Sequence, residues 1–177
     1  NDGSSQRSYG WAVRPIVRLG GAEFAPFYSA GRFFSNRTRT LVTVGGNYLP
    51  AFPQRRRNLG QSWAEGDLLN ETYGATFKAP ITSALSLRAG LFHTKGDRLA
   101  NFGEIYSLLA PDGRSSHRVI ADPAQRVRSD SGEVQLALRA STGRVQHRFI
   151  LGLRGRNRYT ETGGSDVIRS AATPIYG

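Results

Sequence analysis

The residues with the clearest chemical capacity in this sequence are its arginines, because each guanidinium presents several N–H donors in a planar fork that matches carboxylate and phosphate oxygens. The 177-residue chain has 24 basic and 13 acidic residues, and every basic residue except Lys78 and Lys95 is an arginine. The net charge of +11 indicates an anionic partner. Nucleic acid, an anionic membrane surface and an anionic ligand all meet that requirement, so the positions of the arginines must decide among them.

The densest local cluster is the run Arg55, Arg56 and Arg57, which Trp63 follows closely. Adjacent guanidinium groups beside an indole can bind a ligand that carries carboxylate or catecholate groups. We therefore predict that these four residues contact a ligand from a loop. Two alternatives stay open, namely contact with the phosphates of surface lipopolysaccharide and a simple solvated run of charge.

Other chemistries find little support in the sequence. There are no cysteines, which excludes disulfides, thiol catalysis and cysteine zinc sites. His93, His117 and His147 lack the spacing of a metal site. The sequence has no G-x-S-x-G, P-loop or dinucleotide-binding motif. We expect no enzymatic activity, no cofactor and no bound metal.

The elements that would position the arginines are strands. Six segments alternate with a period of two, which predicts strands with two unlike faces. No apolar run approaches the roughly 18–20 residues of a membrane helix, whereas a transmembrane strand needs only about 9–11 residues. Alternation is less clear in the second segment, which Pro26 interrupts. The segments are Ser8–Leu19, Ala22–Gly31, Leu69–Ala79, Leu85–Thr94, Gly132–Ser141 and Val145–Tyr159.

The connections between these segments are of two kinds. Gly20-Gly21, residues 81–84 and residues 141–144 are short and turn-like, whereas residues 32–68 and 95–130 are long and polar. In an antiparallel arrangement all the short links fall at one end. Short periplasmic turns at one end and long extracellular loops at the other are typical of outer-membrane β-barrels.

The long polar stretches are expected to contain small hairpins. Thr40–Tyr48 is predicted to form one of them. Phe102–Leu109 is predicted to pair with Ser116–Ala121 through a turn at Pro111-Asp112-Gly113.

The apolar faces of the predicted strands can be covered in two ways. A soluble β-sandwich would bury them against a second sheet. A barrel would expose them to lipid, with aromatic residues near the interface. Tyr9, Trp11, Tyr73 and Tyr159 all fall near the long-loop ends of their strands. Together with the small residues on the polar faces, this placement favours the barrel.

In a barrel the polar faces would line the interior. The basic residues predicted to face that lumen are opposed by Glu23 and Glu133, so this wall would be strongly positive. Such a wall suits an anionic ligand or an internal plug with acidic groups, and both alternatives stay open. The predicted lumen-facing basic residues are Arg14, Arg18, Lys78, Arg88, Arg139, Arg148, Arg154, Arg156 and Arg158.

Beyond these patterns, the loop Phe52–Ala64 and the strand Asn70–Ala79 resemble TonB-dependent outer-membrane receptors of the ferric-siderophore type. The likeness continues through Leu85–Phe92, residues 111–114 and residues 120–123, and covers most of the chain. These are barrel-strand and loop patterns rather than catalytic motifs. The resemblance implies an antiparallel, up-and-down transmembrane barrel of about 22 strands with a plugged lumen.

The resemblance also implies how the chain would function. Residues 1–177 are interpreted as one partial barrel domain from the middle of a Gram-negative-type outer-membrane receptor, with the plug and the remaining strands outside it. The expected partners are a ferric siderophore or other anionic ligand, the TonB complex through the plug, and outer-membrane lipid and lipopolysaccharide, but no nucleic acid.

Two rival functions are kept. A soluble basic β-protein could bind nucleic acid through arginines and stacking aromatic residues, but it would carry both types on one face. A plain porin-like channel would have neither plug nor TonB dependence.

Overall fold

The computed structural model describes residues 4–38, 40–49, 58–122 and 125–174. These residues form strands, turns and irregular connections, in agreement with the all-β prediction. Within these ranges no helix is long and apolar enough to cross a membrane. The strands are β1 (Gln6–Val13), β2 (Val17–Leu19), β3 (Ala22–Ser35), β4 (Thr40–Val44), β5 (Gly66–Pro80), β6 (Leu85–Leu109), β7 (Arg114–Ala121), β8 (Gln125–Thr142), β9 (Val145–Glu161) and β10 (Asp166–Pro174).

Most of the chain forms an antiparallel meander, which we call the main sheet. β1 and β2 both pair with β3, and the order continues through β5, β6 and β8 to β9. The predicted first strand, Ser8–Leu19, is divided at residues 14–16, where Pro15 has no N–H to donate to the ladder. The six predicted segments and their antiparallel neighbours are otherwise confirmed.

Short links join the strands of the main sheet at one end, which we call the turn end. Gly20 and Gly21 have φ of 55° and 84°, the left-handed conformations that a two-residue type I′ turn requires. Thr82 Oγ1 closes the β5–β6 link by accepting the backbone N–H groups of Ala84 and Leu85, at 3.2 and 3.0 Å. Gly143, with φ of 60°, lies in the β8–β9 link. The predicted asymmetry between the two ends is therefore present.

Toward the other end, the loop end, the strands run further than predicted. β3 continues to Ser35, and β6 spans 25 residues. Residues 32–68 and 95–130 are thus partly strand, which corrects the sequence-based boundaries. The period-two signal fades there because charged residues, such as Arg32 and Asp97, occupy the face that is apolar nearer the turns.

A second group of strands, the small sheet, lies at the loop end. It contains β4, residues 102–109 of β6, β7 and β10. The predicted β6–β7 hairpin is confirmed, and its turn at residues 111–113 is closed by a 2.9 Å hydrogen bond from the Gly113 N–H to the Ala110 carbonyl. The predicted Thr40–Tyr48 hairpin is wrong. Residues 40–44 are instead one strand that pairs in parallel with β6, because non-local pairing replaces the local partner.

The hydrophobic core sits in the small sheet. Tyr106 and Leu109 are buried there, with Val42 and Leu59 packed against them. By contrast, the main sheet is a single layer, and among the described residues no second sheet packs on its apolar face. Leu151 and Leu153 on that face remain 73% and 80% exposed. The soluble β-sandwich alternative predicts the opposite.

Candidate functional site

The cross-strand register of the main sheet places apolar side chains in continuous rows on one face. In one such row, Phe24 of β3 is the cross-strand partner of Phe77 of β5. The row continues, partner by partner, through Ala89 of β6 and Val134 of β8 to Leu153 of β9. Cross-strand neighbours on one face lie within contact distance of each other. The result is a hydrophobic surface that extends across five strands.

An aromatic row borders this apolar surface on its loop-end side. The ring centroids of Trp11 and Tyr28 are 5.0 Å apart, those of Tyr28 and Tyr73 6.4 Å, and those of Tyr73 and His93 4.7 Å. Trp11 and Tyr73 were predicted near the loop ends of their strands. The sequence did not predict Tyr28 as a member of this aromatic row, because Pro26 interrupts the alternation of β3. Stacked aromatic side chains at one level are typical of a membrane–water interface.

Beyond the aromatic row the same face carries paired charges. Arg32 forms two hydrogen bonds with Asp67. Further along, Asp97 lies 2.8 Å from both Lys95 Nζ and Arg126 Nε. The hydrogen bonds from Arg32 hold the pKa of the Asp67 carboxyl below its usual range. One face therefore changes from apolar to aromatic to charged along the strands, as expected where hydrocarbon gives way to water.

The opposite face of the main sheet is basic. Lys78 lies opposite Glu23 and Arg88, and Arg139 lies opposite Arg148. The remaining strand residues of the predicted set occupy the same face by register, and Arg14 reaches it through a 3.2 Å hydrogen bond to Thr76. The structure thus gathers all nine predicted residues on one surface. That this surface lines a lumen stays a prediction.

Few of these basic groups are neutralised. Within the described ranges, Arg18 is the member of the set that forms an ion pair, at 3.5 Å from Glu23. Arg156 donates instead to the hydroxyl of Ser129 at 2.8 Å. A surface with so many unpaired cations attracts anions over the distance that salt leaves unscreened, about 8–10 Å at ordinary ionic strength.

An open cleft of 460 Å³ lies on the basic face between β6, β8 and β9. Phe92, Ser131, Glu133, Arg154 and Arg156 line it. The ring of Phe92 is 5.7 Å from that of Phe27, so two aromatic side chains form a floor beside the arginines. The cleft combines apolar contact area with guanidinium donors, which suits an anionic organic ligand or an acidic protein segment.

The predicted loop cluster is only partly visible. Arg55, Arg56 and Arg57 lie outside the described residues. Trp63 is 49% exposed and meets the ring of Phe102 edge-on at 5.7 Å. It therefore packs against the small sheet with one side, and its other side is free to meet solvent or a ligand.

The segment that carries Trp63 is anchored over the small sheet by a buried polar cluster. The Gln61 N–H donates to Glu104 Oε1 at 2.5 Å, and His117 Nε2 lies 3.0 Å from Glu104 Oε2. Glu104 is only 1% exposed. Glu104 carries no functional signal in the sequence, since a lone glutamate in an alternating strand looks like a solvated residue. Its burial depends on the pairing of β6 with β4 and β7, which the structure shows and the local sequence does not signal.

Metal coordination has no support among the residues that the structure describes. In those ranges no group of three or more histidine and carboxylate side chains is arranged to hold an ion.

Neither a protein-family profile nor a curated protein sequence matches this chain. Its fold, however, matches solved structures. BauA, the ferric preacinetobactin receptor from Acinetobacter baumannii, superimposes with a TM-score of 0.77 at 16% identity, over 98% of this chain and 26% of that one. FpvA from P. aeruginosa, bound to an iron-loaded pyoverdine, superimposes with a TM-score of 0.74 at 13% identity, over 94% of this chain and 22% of that one.

At these identities the likeness concerns the fold alone. The chain has the architecture of a barrel sector of siderophore receptors, and it spans 26% and 22% of the length of the two matched proteins. BauA is a receptor for ferric preacinetobactin, and FpvA is seen in complex with an iron-loaded pyoverdine.

Proposed function

We propose that this chain is a sector of an outer-membrane β-barrel receptor that imports a ferric siderophore with energy supplied through TonB. Residues 1–177 form part of the barrel wall, and a plug and further strands complete the receptor. One observation carries the proposal: a single-layered antiparallel sheet exposes an apolar surface on one face and a basic surface on the other.

The apolar surface supports a lipid environment. Monomeric soluble proteins rarely expose continuous apolar patches larger than a few hundred Å². Here hydrophobic rows run across five strands of the main sheet. They end at the aromatic row, where Trp11 is 58% exposed. Acyl chains would cover this surface, and the charged groups beyond the row would meet lipid headgroups and lipopolysaccharide.

The basic surface supports an enclosed, water-accessible interior. Siderophore complexes with deprotonated carboxylate or catecholate groups are anionic, and unpaired arginines would attract them. The cleft beside Phe92, Arg154 and Arg156 offers a contact point on this wall. The same arginines can instead bind acidic groups of a plug, so the proposal includes both roles. Arg55, Arg56, Arg57 and Trp63 are proposed to meet the ligand first, from the loop end.

The rival functions fit less well. Nucleic-acid binding through arginines and stacking aromatics would need both on one surface. In this chain the aromatic row of Trp11, Tyr28 and Tyr73 lies on the face opposite the predicted basic set. Phe27 and Phe92 share the basic face, but their rings pack against each other at 5.7 Å. A plain porin-like channel shares the wall geometry and differs in having no plug and no energy coupling.

Iron uptake tests the proposal. The complete gene would be deleted and restored in its host, and accumulation of ⁵⁵Fe from a panel of ferric siderophores would be measured with and without a functional TonB gene. We expect at least one siderophore whose uptake needs both genes. Uptake that needs the gene but not TonB would favour the porin alternative. Unchanged uptake of every siderophore would contradict the iron-transport assignment.

A further inference from the structure

Two arginines of the small sheet face each other directly. Arg118 of β7 is the cross-strand partner of Arg169 of β10. Both lie on the side of the small sheet opposite the buried pair Glu104 and His117, because residues alternate along each strand. Like charges at directly opposed positions of a sheet are destabilising. A bound anion would relieve this repulsion.

In the part of the chain that the structure describes, no carboxylate compensates this pair of charges. An open cleft of 490 Å³ adjoins the pair, and no carboxylate lines it. Among the described residues, neither Arg118 nor Arg169 forms an ion pair, and the carboxylate of Asp112 pairs with Arg114 at 3.6 Å. The cleft is lined by Thr43, Ser107, Leu108, Ser116, Arg118 and Arg169.

The cleft also offers neutral donors. Arg118 Nη2 donates to Ser107 Oγ at 3.2 Å, which orients the guanidinium beside the cleft. The hydroxyl groups of Thr43 and Ser116 complete a set of three alcohols around the two guanidinium groups. An anion with several acceptor oxygens can accept from both kinds of donor at once.

We infer that this cleft binds a phosphate monoester group, with Arg118 and Arg169 as its principal ligands. The charges match, since two guanidinium groups carry two positive charges and a phosphate monoester carries about −1.5 to −2 at pH 7. A carboxylate would leave one arginine uncompensated. Its two oxygens would also leave some of the five donor groups around the cleft unused. This inference does not depend on the iron-transport proposal, because the site lies in the small sheet and its test measures binding alone.

The test uses the complete gene product purified in detergent, with inorganic phosphate as the probe. Affinity would be measured by calorimetry in phosphate-free buffer at constant ionic strength, with acetate as the carboxylate comparison. The variants are Arg118→Gln, Arg169→Gln and the double variant. Arg114→Gln is the matched control, because Arg114 is also an exposed arginine of β7 but pairs with Asp112 outside the cleft.

We expect phosphate to bind the wild type more tightly than acetate does. The double variant should lose at least tenfold in phosphate affinity, and the control should stay within twofold. Unchanged phosphate affinity in the double variant, or equal binding of acetate and phosphate by the wild type, would overturn the inference.

Folding of the variants is checked in the same samples. Because Arg169→Gln removes like-charge repulsion, its thermal midpoint in phosphate-free buffer should equal or exceed that of the wild type. Phosphate should then raise the midpoint of the wild type but not of the double variant. An equal rise in both proteins would also count against the site.

Two further arms identify the source of the phosphate. Vesicles containing lipopolysaccharide would be compared with vesicles containing the same lipopolysaccharide after enzymatic dephosphorylation, and glucose 6-phosphate would serve as a soluble probe. Arginine-dependent binding to the phosphorylated vesicles alone assigns the site to a lipid headgroup. Arginine-dependent binding of glucose 6-phosphate assigns it to soluble phosphate esters. Absence of both would refute the inference.

Discussion

The main sheet and the small sheet differ in how they bury their apolar side chains. The small sheet buries Tyr106, Leu109 and the Glu104–His117 pair, so it carries a hydrophobic core of its own. The main sheet buries little and leaves Leu151 and Leu153 exposed. A region that has its own hydrophobic core is stable in water. A single-layered sheet with an exposed apolar face needs an apolar environment, such as lipid, on that face. The proposed lipid contact of the main sheet follows from this difference.

The largest expected effect tests whether lipid covers the apolar face of the main sheet. Leu151→Arg places a charge on the apolar face of β9 and should weaken assembly by about 2–4 kcal/mol if the residue lies near the midplane of a bilayer. Refolding of the complete gene product into lipid vesicles would measure the loss. Ile150→Arg is the matched control, because it is the adjacent residue of the same strand and lies on the basic face. Equal assembly of the two variants would contradict lipid contact at Leu151.

The next effect tests the core of the small sheet. Glu104→Ala leaves the Gln61 N–H and His117 Nε2 without their carboxylate partner, at a cost of about 1–3 kcal/mol. Hydrogen exchange should quicken in β7 and β10 and stay unchanged in β8 and β9. Glu104→Gln, which keeps the side-chain volume and one acceptor oxygen, should cost less. An equal loss of protection in both sheets would contradict the prediction that Glu104 stabilises the small sheet and leaves β8 and β9 unaffected.

Two tyrosine substitutions compare the same two sheets, with smaller expected changes in the free energy of unfolding. Tyr106→Phe removes a 3.0 Å hydrogen bond to the Leu59 carbonyl inside the small sheet, and we expect a cost of about 1 kcal/mol. Tyr28→Phe removes a 2.7 Å bond to Glu71 on the more accessible main sheet, where water can replace the lost partner. Thermal unfolding should therefore shift more for Tyr106→Phe. The reverse order would argue against a drier small sheet.

The smallest effect concerns the charged end of the main sheet. The pKa of Asp67 is lowered in the folded protein by Arg32, so the ionised carboxylate stabilises the fold at pH values above its unfolded pKa of about 3.9. That contribution is lost as the pH falls through the lower folded value. Asp67→Asn should cost at most about 1 kcal/mol at pH 7, since Arg32 is partly exposed. The difference from wild type should shrink as the pH falls through that range; a constant difference would exclude this linkage.

The main sheet was predictable from the sequence because its signal is local. Alternation along β9 alone separates Leu151 and Leu153 from Arg154 and Arg156, and antiparallel register then aligns neighbouring strands. Where charge occurs on both faces, as around Arg32 and Asp67, alternation no longer reports burial. The strand ends were therefore misplaced by several residues.

The small sheet was harder to predict because its contacts are distant in sequence. β4 pairs in parallel with β6, and Thr40 meets Glu104. No turn residue signals such a pairing. Arg118 and Arg169 likewise become neighbours only through the β7–β10 register. Candidate sites built within one strand were within reach of the sequence, whereas sites built between remote strands were not.

The 25-residue length of β6 has a mechanical consequence. At about 3.3 Å per residue the strand extends for roughly 80 Å, and its backbone belongs to both sheets. Its ladder with β8 runs up to Arg98, and its ladder with β7 starts at Phe102. Because hydrogen bonding is nearly unbroken along its length, the small sheet cannot swing as a hinged lid without rupturing backbone pairs. We expect a displacement at the Leu109 end of β6 to be transmitted along the strand into the main sheet.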